Sequence, residues 1–146
     1  MPKDPTFVLT QFSPAARYAL SAASYLARRP GSACSVEDIA AGGALPRSFL
    51  AKVLKRLSRR GLVISRRGPG GGHALALSAR EITLAEIVAA VEKPAPGKHR
   101  CLLELRDCGD GAPCAVHDLV VRSERRLWKA LRAMTLSRYA ASGKGA

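Results

Sequence analysis

The run Gly68-Pro69-Gly70-Gly71-Gly72 is the feature that most restricts how this chain can fold. Four glycines and a proline in five residues cannot continue a helix, so the run must be a turn. Leu62-Val63-Ile64 precedes it and has the composition of a strand, and residues 73–77 alternate well enough to form the returning strand. The sequence therefore predicts a β-hairpin at this point.

Two short helices joined by a glycine turn are predicted directly before the hairpin. The first begins at Ser35 with an acidic first turn, and Gly42-Gly43 are expected to stop it. The second begins at Pro46, and Gly61 lies just past its end. Apolar residues repeat along one face of this second helix, at Leu50, Val53, Leu54 and Leu57. This order is the helix-turn-helix pattern, and the hairpin that follows it is typical of a wing.

Three further helices complete the prediction, so the fold class is mainly α with a small β-hairpin wing. Ser13-Pro14 starts a helix that ends near Arg29, Thr83 and Glu86 start another as a capping box, and the last runs from about His117 to Met134. The expected divisions are a leader at 1–12, a winged helix-turn-helix domain at 13–92, a cysteine-rich loop at 93–117, a long helix at 118–137 and a disordered tail at 138–146.

The charge of the chain is large and unevenly placed. The net charge of +13 and the pI of about 10.5 predict a polyanionic partner, either nucleic acid or an anionic membrane surface. Residues 39–80 contain no Asp or Glu, and their basic residues fall mostly on the second helix and the hairpin. A helix face that is merely solvated would carry both positive and negative side chains. A helix that lies on a membrane would carry more aromatic anchors than Phe49 alone. DNA is therefore the expected partner.

The positions of the basic residues suggest how DNA is contacted. In a helix-turn-helix, the N-terminal residues of the second helix lie nearest the bases, and Arg or Lys there can donate to guanine. The residues at that end, off the buried face, are Arg47, Ser48 and Lys52. The residues further along, expected at phosphates, are Lys55, Arg56 and Arg59. Arg66 and Arg67 adjoin the glycine turn, where a side chain can enter a narrow minor groove.

Cysteine usage depends on the compartment. The first ten residues contain no apolar run of signal-peptide length, and charges interrupt every hydrophobic run in the chain. We therefore expect a cytoplasmic protein that does not interact with membranes. Its four cysteines are then expected to be thiols or metal ligands and not disulfides. Cys34 stands apart from the other three and is expected to be a small buried side chain.

The other three cysteines form a motif with a histidine. Cys101, Cys108, Cys114 and His117 have the spacing C-x6-C-x5-C-x2-H, and soft sulfur ligands select iron–sulfur clusters, zinc or copper(I). Neither cysteine gap is as short as in structural zinc knuckles, which weakens the case for zinc. Wider gaps with glycines suit a cluster wrapped by a loop. Unrelated thiols are disfavoured, because this loop has no core in which to bury them.

Several motifs together resemble the winged-helix regulators that include IscR and NsrR, the Rrf2 family. The resemblance covers about residues 12–139. Its most specific part is Arg67-Gly68-Pro69-Gly70-Gly71-Gly72, followed by Glu81-Ile82-Thr83-Leu84-Ala85-Glu86-Ile87 and Ala90-Val91-Glu92. Arg17-Tyr18-Ala19-Leu20 and Cys114-x-x-His117 agree with it.

The resemblance implies a transcription regulator that acts as a repressor on a pseudo-palindromic operator, with no enzymatic activity and no small-molecule substrate. It implies base contacts at Pro46, Ser48, Phe49, Ala51 and Lys52, and a wing contact at Arg67 beside Gly68. It also implies a homodimer through the last helix, whose apolar seam is formed by Val120, Leu127, Trp128, Leu131 and Met134.

The same resemblance implies an iron–sulfur cluster that senses iron–sulfur status, nitric oxide or redox stress, held by Cys101, Cys108, Cys114 and His117. Members that draw a carboxylate ligand from the first helix have an acid where this chain has Arg17. This departure favours a local site of three cysteines and one histidine, with a two-iron, two-sulfur (2Fe-2S) cluster preferred over a four-iron, four-sulfur one. Two alternatives stay open: a regulator with structural zinc or redox-active thiols, and an iron–sulfur enzyme or electron carrier, disfavoured because no acid/base set accompanies the cysteines.

Overall fold

A computed structural model of the chain describes residues 12–92, 101, 103, 105, 108, 109 and 111–143. The expected leader up to residue 11 and residues 93–100, 102, 104, 106, 107 and 110 of the expected loop lie outside the described residues. The helices are α1 (Pro14–Ala27), α2 (Val36–Gly43), α3 (Arg47–Arg59), α4 (Leu84–Val91), α5 (His117–Ala133) and α6 (Leu136–Ala141). The strands are β1 (Val63–Arg66) and β2 (Gly72–Leu75), paired antiparallel.

Side chains that the sequence places at helix starts act there as caps. Ser13 caps α1, and Pro14 occupies the first helical position. Two reciprocal capping boxes begin α2 and α4, formed by Ser35 with Asp38 and by Thr83 with Glu86. The predicted starts of these three helices are confirmed.

The end of α2 differs from the prediction in its cause. Gly42 and Gly43 lie inside the helix, and Ala44 ends it in the left-handed region at φ 50°. Position 42 requires a glycine because a Cβ atom there would overlap the ring of Tyr25 in α1. The glycines therefore let α1 and α2 approach closely, and the turn into α3 needs only residues 44–46.

The hydrophobic core surrounds α1, which packs against α2, α3, α4 and α6. The face of α3 predicted to be buried consists of Leu50, Val53, Leu54 and Leu57, each at most 1% exposed. Its opposite, basic face is therefore at the surface. This confirms the amphipathic reading of the helix.

The hairpin is held against the helical body by backbone hydrogen bonds. The N–H of Cys34 donates to the carbonyl of His73 at 2.8 Å, and the N–H of His73 donates to the carbonyl of Cys34 at 2.7 Å. Gly72 makes this approach possible, because it has φ 142° and a Cβ atom there would collide with the Cys34 carbonyl. The wing is therefore anchored just before α2.

The C-terminal region departs from the prediction of one helix over 118–137 and a disordered tail from 138. The backbone breaks at Met134, and Thr135 caps a second helix, α6, in which Leu136 is fully buried. Residues 134–137 also exchange backbone hydrogen bonds with residues 79–84, including Leu136 N–H to the carbonyl of Ile82 at 2.8 Å. The disordered tail was wrong for residues 138–143, because this pairing directs α6 back onto α1. Among the described helices, none is long and apolar enough to cross a membrane.

Candidate metal centre and nucleic-acid interface

Two short-range structures bring the predicted ligands together. Gly109 and Ala112 form an isolated antiparallel bridge, which turns the chain between Cys108 and Cys114. The N–H of His117 then donates to the carbonyl of Cys114 at 3.0 Å, as the chain enters α5 with His117 as its first residue. The imidazole is therefore fixed at the start of a helix, next to the last cysteine.

All three predicted cysteine ligands converge. The Sγ atoms of Cys101, Cys108 and Cys114 lie within 4.8 Å of one another. Sγ of Cys101 lies 3.8 Å from Sγ of Cys114, and Sγ of Cys108 lies 3.3 Å from Nδ1 of His117. Cys108 and His117 are each 7% exposed, and the other two ligands are half-buried.

The distances between the ligand atoms can be compared with those around a tetrahedral metal ion. Two sulfur ligands at about 2.3 Å from one tetrahedral ion lie about 3.8 Å apart, and a sulfur and a nitrogen ligand lie about 3.6 Å apart. The Cys101–Cys114 pair at 3.8 Å and the Cys108–His117 pair at 3.3 Å both come close to these values. The three sulfurs therefore fit a shared metal ion or cluster, and Nδ1 of His117 lies beside the Cys108 sulfur.

The thiols also differ in acidity. A backbone hydrogen bond from Leu105 is the largest cause that lowers the pKa of Cys101. For Cys108, a backbone hydrogen bond from Cys114 acts to lower the pKa, but burial and the neighbouring sulfurs outweigh it and the net pKa is raised. Ionisation of Cys101 is therefore favoured relative to an ordinary cysteine, and its negative charge opposes the ionisation of Cys108 beside it. A bound cation removes this opposition, because metal binding requires deprotonated cysteines.

The second candidate surface is formed by α3 and the wing. Every residue predicted to contact DNA is exposed: Pro46, Arg47, Ser48, Phe49, Lys52, Lys55, Arg56, Arg66, Arg67 and Gly68. The apolar face of α3 is buried against the core at the same time, so these side chains share the outward side of the helix and hairpin. The arrangement offers a row of cations and hydrogen-bond donors to a polyanion.

Three of these side chains also have partners within the chain. Arg47 forms an ion pair with Glu37 of α2. The guanidinium of Arg56 donates to the carbonyl of Val91, at the end of α4, at 3.0 Å. Phe49 packs edge to face against Tyr18 of α1, with the ring centroids 5.2 Å apart. Sequence spacing contained no signal for these contacts, which join separate helices.

The residues predicted to form a dimer seam on α5 are only partly outward-facing. Leu131 belongs to the hydrophobic core of its own chain, and Leu127, Trp128 and Met134 pack against that core. Val120 is half-buried. An open groove of about 380 Å³ runs along the same helix, lined by Val121, Glu124, Arg125, Trp128 and Arg132. The dimer itself stays a prediction.

Cys34 lies outside the metal centre, as expected. It is 5% exposed, and burial is the largest cause that raises the pKa of its thiol. The neighbouring His73 is half-buried, its Nδ1 lies 3.1 Å from the Ser65 hydroxyl, and burial lowers its pKa. These two residues stabilise the wing joint and are not part of the cysteine cluster.

Known proteins similar to this chain identify its family. The profile of the Rrf2 family, described as an iron-dependent transcriptional regulator, matches residues 12–142. This chain belongs to the Rrf2 family. An HTH-type transcriptional regulator of Aquifex aeolicus is 43% identical over 108 residues, which are 73% of this chain and 74% of that protein. IscR of Photorhabdus laumondii is 38% identical over 82 residues, which are 56% of this chain and 49% of IscR.

Solved structures agree with this assignment. CymR of B. subtilis, titled the global cysteine regulator, superimposes with a TM-score of 0.75 at 27% identity, covering 91% of this chain and 98% of CymR. IscR of T. potens superimposes with a TM-score of 0.74 at 22% identity, covering 92% and 89%, and at that identity it supports the fold alone. The fold is therefore the winged helix of Rrf2 regulators, and the protein is a transcription regulator of this family.

Proposed function

We propose that this Rrf2 regulator binds a specific operator through α3 and the wing, and that an iron–sulfur cluster held by Cys101, Cys108, Cys114 and His117 sets its affinity for that operator. The observation that carries the proposal is the convergence of the three cysteine sulfurs within 4.8 Å of one another, with Nδ1 of His117 3.3 Å from Sγ of Cys108. The DNA-binding part is supported by the family, since Rrf2 regulators bind DNA. Acting on DNA, the protein would work in the cytoplasm as a homodimer.

The outward face of α3 supports the assignment of DNA contacts. Ser48 and Lys52 lie near the N-terminal end of the helix, where a recognition helix approaches base edges. Lys55 lies one turn further and would contact a phosphate. Arg66 and Arg67 extend from the hairpin, where a guanidinium can enter an adjacent minor groove. Because these contacts are mostly ionic, we expect affinity to fall steeply as the salt concentration rises.

The position of His117 supports a route from the metal centre to DNA. As the first residue of α5, it connects the cysteine segment to a helix that packs against α4. α4 in turn contacts α3, and Arg56 of α3 donates to the α4 carbonyl of Val91 at 3.0 Å. When bound, an iron–sulfur cluster supplies a redox-active centre whose loss changes both charge and ligation. Couplings of this kind change affinity by roughly 5- to 150-fold.

The first test is a visible absorption spectrum, with iron and zinc analysis, of protein purified without oxygen. We expect charge-transfer bands and iron. Replacing Cys108 with Ala should abolish both while the helical content is retained, because Cys108 contributes a ligand and lies outside the core of α1–α4. The matched control is Cys34→Ala, which removes another buried thiol and should keep the full iron content. If Cys108→Ala retains its cluster, the ligand assignment is wrong.

The second test compares operator binding by cluster-loaded and metal-free protein at several salt concentrations. We expect both forms to show a strong salt dependence and to differ from each other in operator affinity. Equal affinities would remove the sensing role and leave the DNA-binding role intact. An absence of salt-dependent DNA binding in both forms would contradict the whole proposal.

Zinc is the second candidate at the same ligands. The three sulfurs lie within 4.8 Å of one another, near the spacing of about 3.8 Å for one tetrahedral zinc ion. A colourless protein that contains one zinc per chain, and that cannot be reconstituted with iron and sulfide, would favour this alternative. The regulator would then bind DNA with an affinity that does not respond to iron.

A further inference from the structure

Glu37 and Asp38 are acidic residues in the first turn of α2, and Glu37 contacts Arg47 of the DNA-contacting surface that α3 and the wing form. Residues 39–80 contain no Asp or Glu at all. A carboxylate beside a phosphate-binding surface repels DNA, so one that is placed there needs an explanation. The helix dipole favours acids in the first turn of α2, but it does not determine which way their side chains turn.

Asp38 and Glu37 have different partners. The Asp38 carboxylate accepts hydrogen bonds from the Ser35 N–H at 3.1 Å and from the Ser35 hydroxyl at 2.6 Å. It therefore caps its own helix. Glu37 instead turns away from its own helix and forms an ion pair with Arg47, the first residue of α3. This pair spans the turn between the two helices of the helix-turn-helix.

The pair constrains a side chain that would otherwise move freely. Arg47 is exposed and has five N–H donors in a planar group. The carboxylate of Glu37 is engaged through Nη2, which leaves the donors on the rest of the guanidinium for another acceptor. A free arginine on this surface could contact any nearby phosphate. An arginine held along one edge can donate only to an acceptor in a narrow range of positions.

We propose that Glu37 is a specificity-positioning residue, which holds Arg47 so that its guanidinium reads one base pair of the half-site and does not bind phosphates indiscriminately. The proposal rests on the proposed function, because it requires the N-terminal end of α3 to approach base edges. An arginine in this position donates in pairs to O6 and N7 of guanine. Glu37 therefore lowers the general attraction to DNA and raises discrimination at one position.

The test selects binding sequences from a fully randomised DNA library with the full-length protein, so the operator need not be known. The proteins compared are the wild type, Glu37→Gln, Arg47→Gln and the double variant. The matched control is Glu81→Gln, which removes the same charge from an exposed residue whose carboxylate accepts a hydrogen bond from the Ser78 N–H at 3.1 Å. Affinity for one fixed random duplex is measured alongside, at several salt concentrations.

We expect Glu37→Gln to weaken the preference at one base pair by about 5- to 10-fold, the lower part of the range for one bidentate contact, and to bind the random duplex more tightly. Arg47→Gln should weaken the preference at the same base pair, and the double variant should lose no more than Arg47→Gln alone, because the two residues act as a unit. Glu81→Gln should keep every preference.

Two results overturn the inference, and they differ from failure of the proposed function. Wild-type preferences at every position in Glu37→Gln would mean that the pair is only an exposed ion pair, of the kind that contributes little. Effects of Glu37→Gln and Arg47→Gln at different base pairs would mean that Glu37 does not act through Arg47. If the wild-type protein selects no sequence at all, the proposed function fails first, and the inference fails with it.

Discussion

Two regions of the molecule differ in their internal structure. They are the winged-helix unit, which comprises residues 12–92 with α6, and the cysteine segment, which comprises residues 101–117. The first contains four helices and a hairpin around α1, with fully buried side chains in α1, α3, α4 and α6. In the described residues of the second, the regular structure before α5 is one isolated bridge, between Gly109 and Ala112. Its buried members include Cys108 and His117, which are predicted ligands.

The two regions therefore differ in what stabilises them. The winged-helix unit gains free energy from burial of apolar side chains and needs no metal to do so. The cysteine segment gathers sulfurs that oppose each other's ionisation, and a bound metal centre would convert that opposition into attraction. We therefore expect the first region to be stable in metal-free protein and the second to depend on the metal. The predictions below test this difference, beginning with the largest effect.

Leu54→Ala should break the winged-helix unit. Leu54 of α3 is fully buried in the hydrophobic core, so its truncation removes apolar contacts and leaves a cavity. We expect a loss of about 3 kcal/mol in the free energy of unfolding, in metal-free and metal-loaded protein alike. Chemical denaturation followed by circular dichroism, at a fixed protein concentration, measures the change.

The matching variant in the cysteine segment is Cys101→Ala. Its side chain is half-buried and its neighbours are other ligands. Metal-free Cys101→Ala should unfold within about 0.5 kcal/mol of the wild type. A destabilisation as large as that of Leu54→Ala would show that the two regions are not held differently.

Gly72→Ala should loosen the joint between the wing and the helical body. The substitution places a methyl group against the Cys34 carbonyl at a backbone conformation, φ 142°, that alanine rarely adopts. We expect a cost of about 2 kcal/mol and faster hydrogen exchange at the His73 amide. Gly70→Ala is the control, because Gly70 has φ 72° but no atom within 4 Å of the added methyl, so only backbone strain of about 1 kcal/mol applies. If both variants change hydrogen exchange at the His73 amide equally, the close approach of Gly72 to the Cys34 carbonyl does not explain the effect.

Ser24→Ala should stabilise the winged-helix unit. The Ser24 hydroxyl is fully buried in α1 and has no hydrogen-bond partner among the described residues. The substitution removes the hydroxyl and leaves a methyl group, so the desolvation penalty disappears, and we expect thermal denaturation to show a gain of about 1 kcal/mol in the free energy of unfolding. The control is Ser123→Ala, whose exposed hydroxyl donates to the Leu119 carbonyl at 2.8 Å and should change stability little. A lower melting temperature in Ser24→Ala would show that the Ser24 hydroxyl has a stabilising hydrogen-bond partner.

The smallest effect is expected from pH, at the wing. Burial lowers the pKa of His73 below its usual value, so the folded protein binds fewer protons than the unfolded chain in that range. The contribution of His73 to stability is therefore complete above the unfolded pKa of about 6.5, and it declines as the pH falls from there towards the folded pKa. His73→Gln should reduce this slope between pH 7.5 and 5 in urea denaturation of metal-free protein. An unchanged slope in the variant would assign the pH dependence to other groups.

Local signals explain why most of the winged-helix unit was predictable. Ser13, Ser35 and Thr83 act within one helical turn, and the period of α3 concerns residues on a single helix. The same signals failed at the C-terminus. Thr135 can cap a helix, but the break before it depends on backbone pairing with residues 79–84, more than 50 residues earlier in the chain.

The candidate site was predictable as a set of residues and not as an arrangement. Residue chemistry and spacing were enough to select Cys101, Cys108, Cys114 and His117, and the structure brings their ligand atoms together. Their spacing in three dimensions was not predictable, because the contact between the sulfurs of Cys101 and Cys114, at 3.8 Å, joins residues 13 positions apart in the chain. Glu37 was missed altogether, since its partner Arg47 lies ten residues further along the chain, on another helix.

Over residues 13–92, the sequence by itself determined which segments become helix, strand or turn and where the positive charge lies, because capping, periodicity and glycine geometry act over a few residues. Only the tertiary structure decided which side chains meet between helices: Glu37 with Arg47, and Arg56 with the end of α4. These contacts depend on how separately formed elements pack around α1. The free energy of that packing is shared among many buried residues, so no short stretch of sequence specifies it.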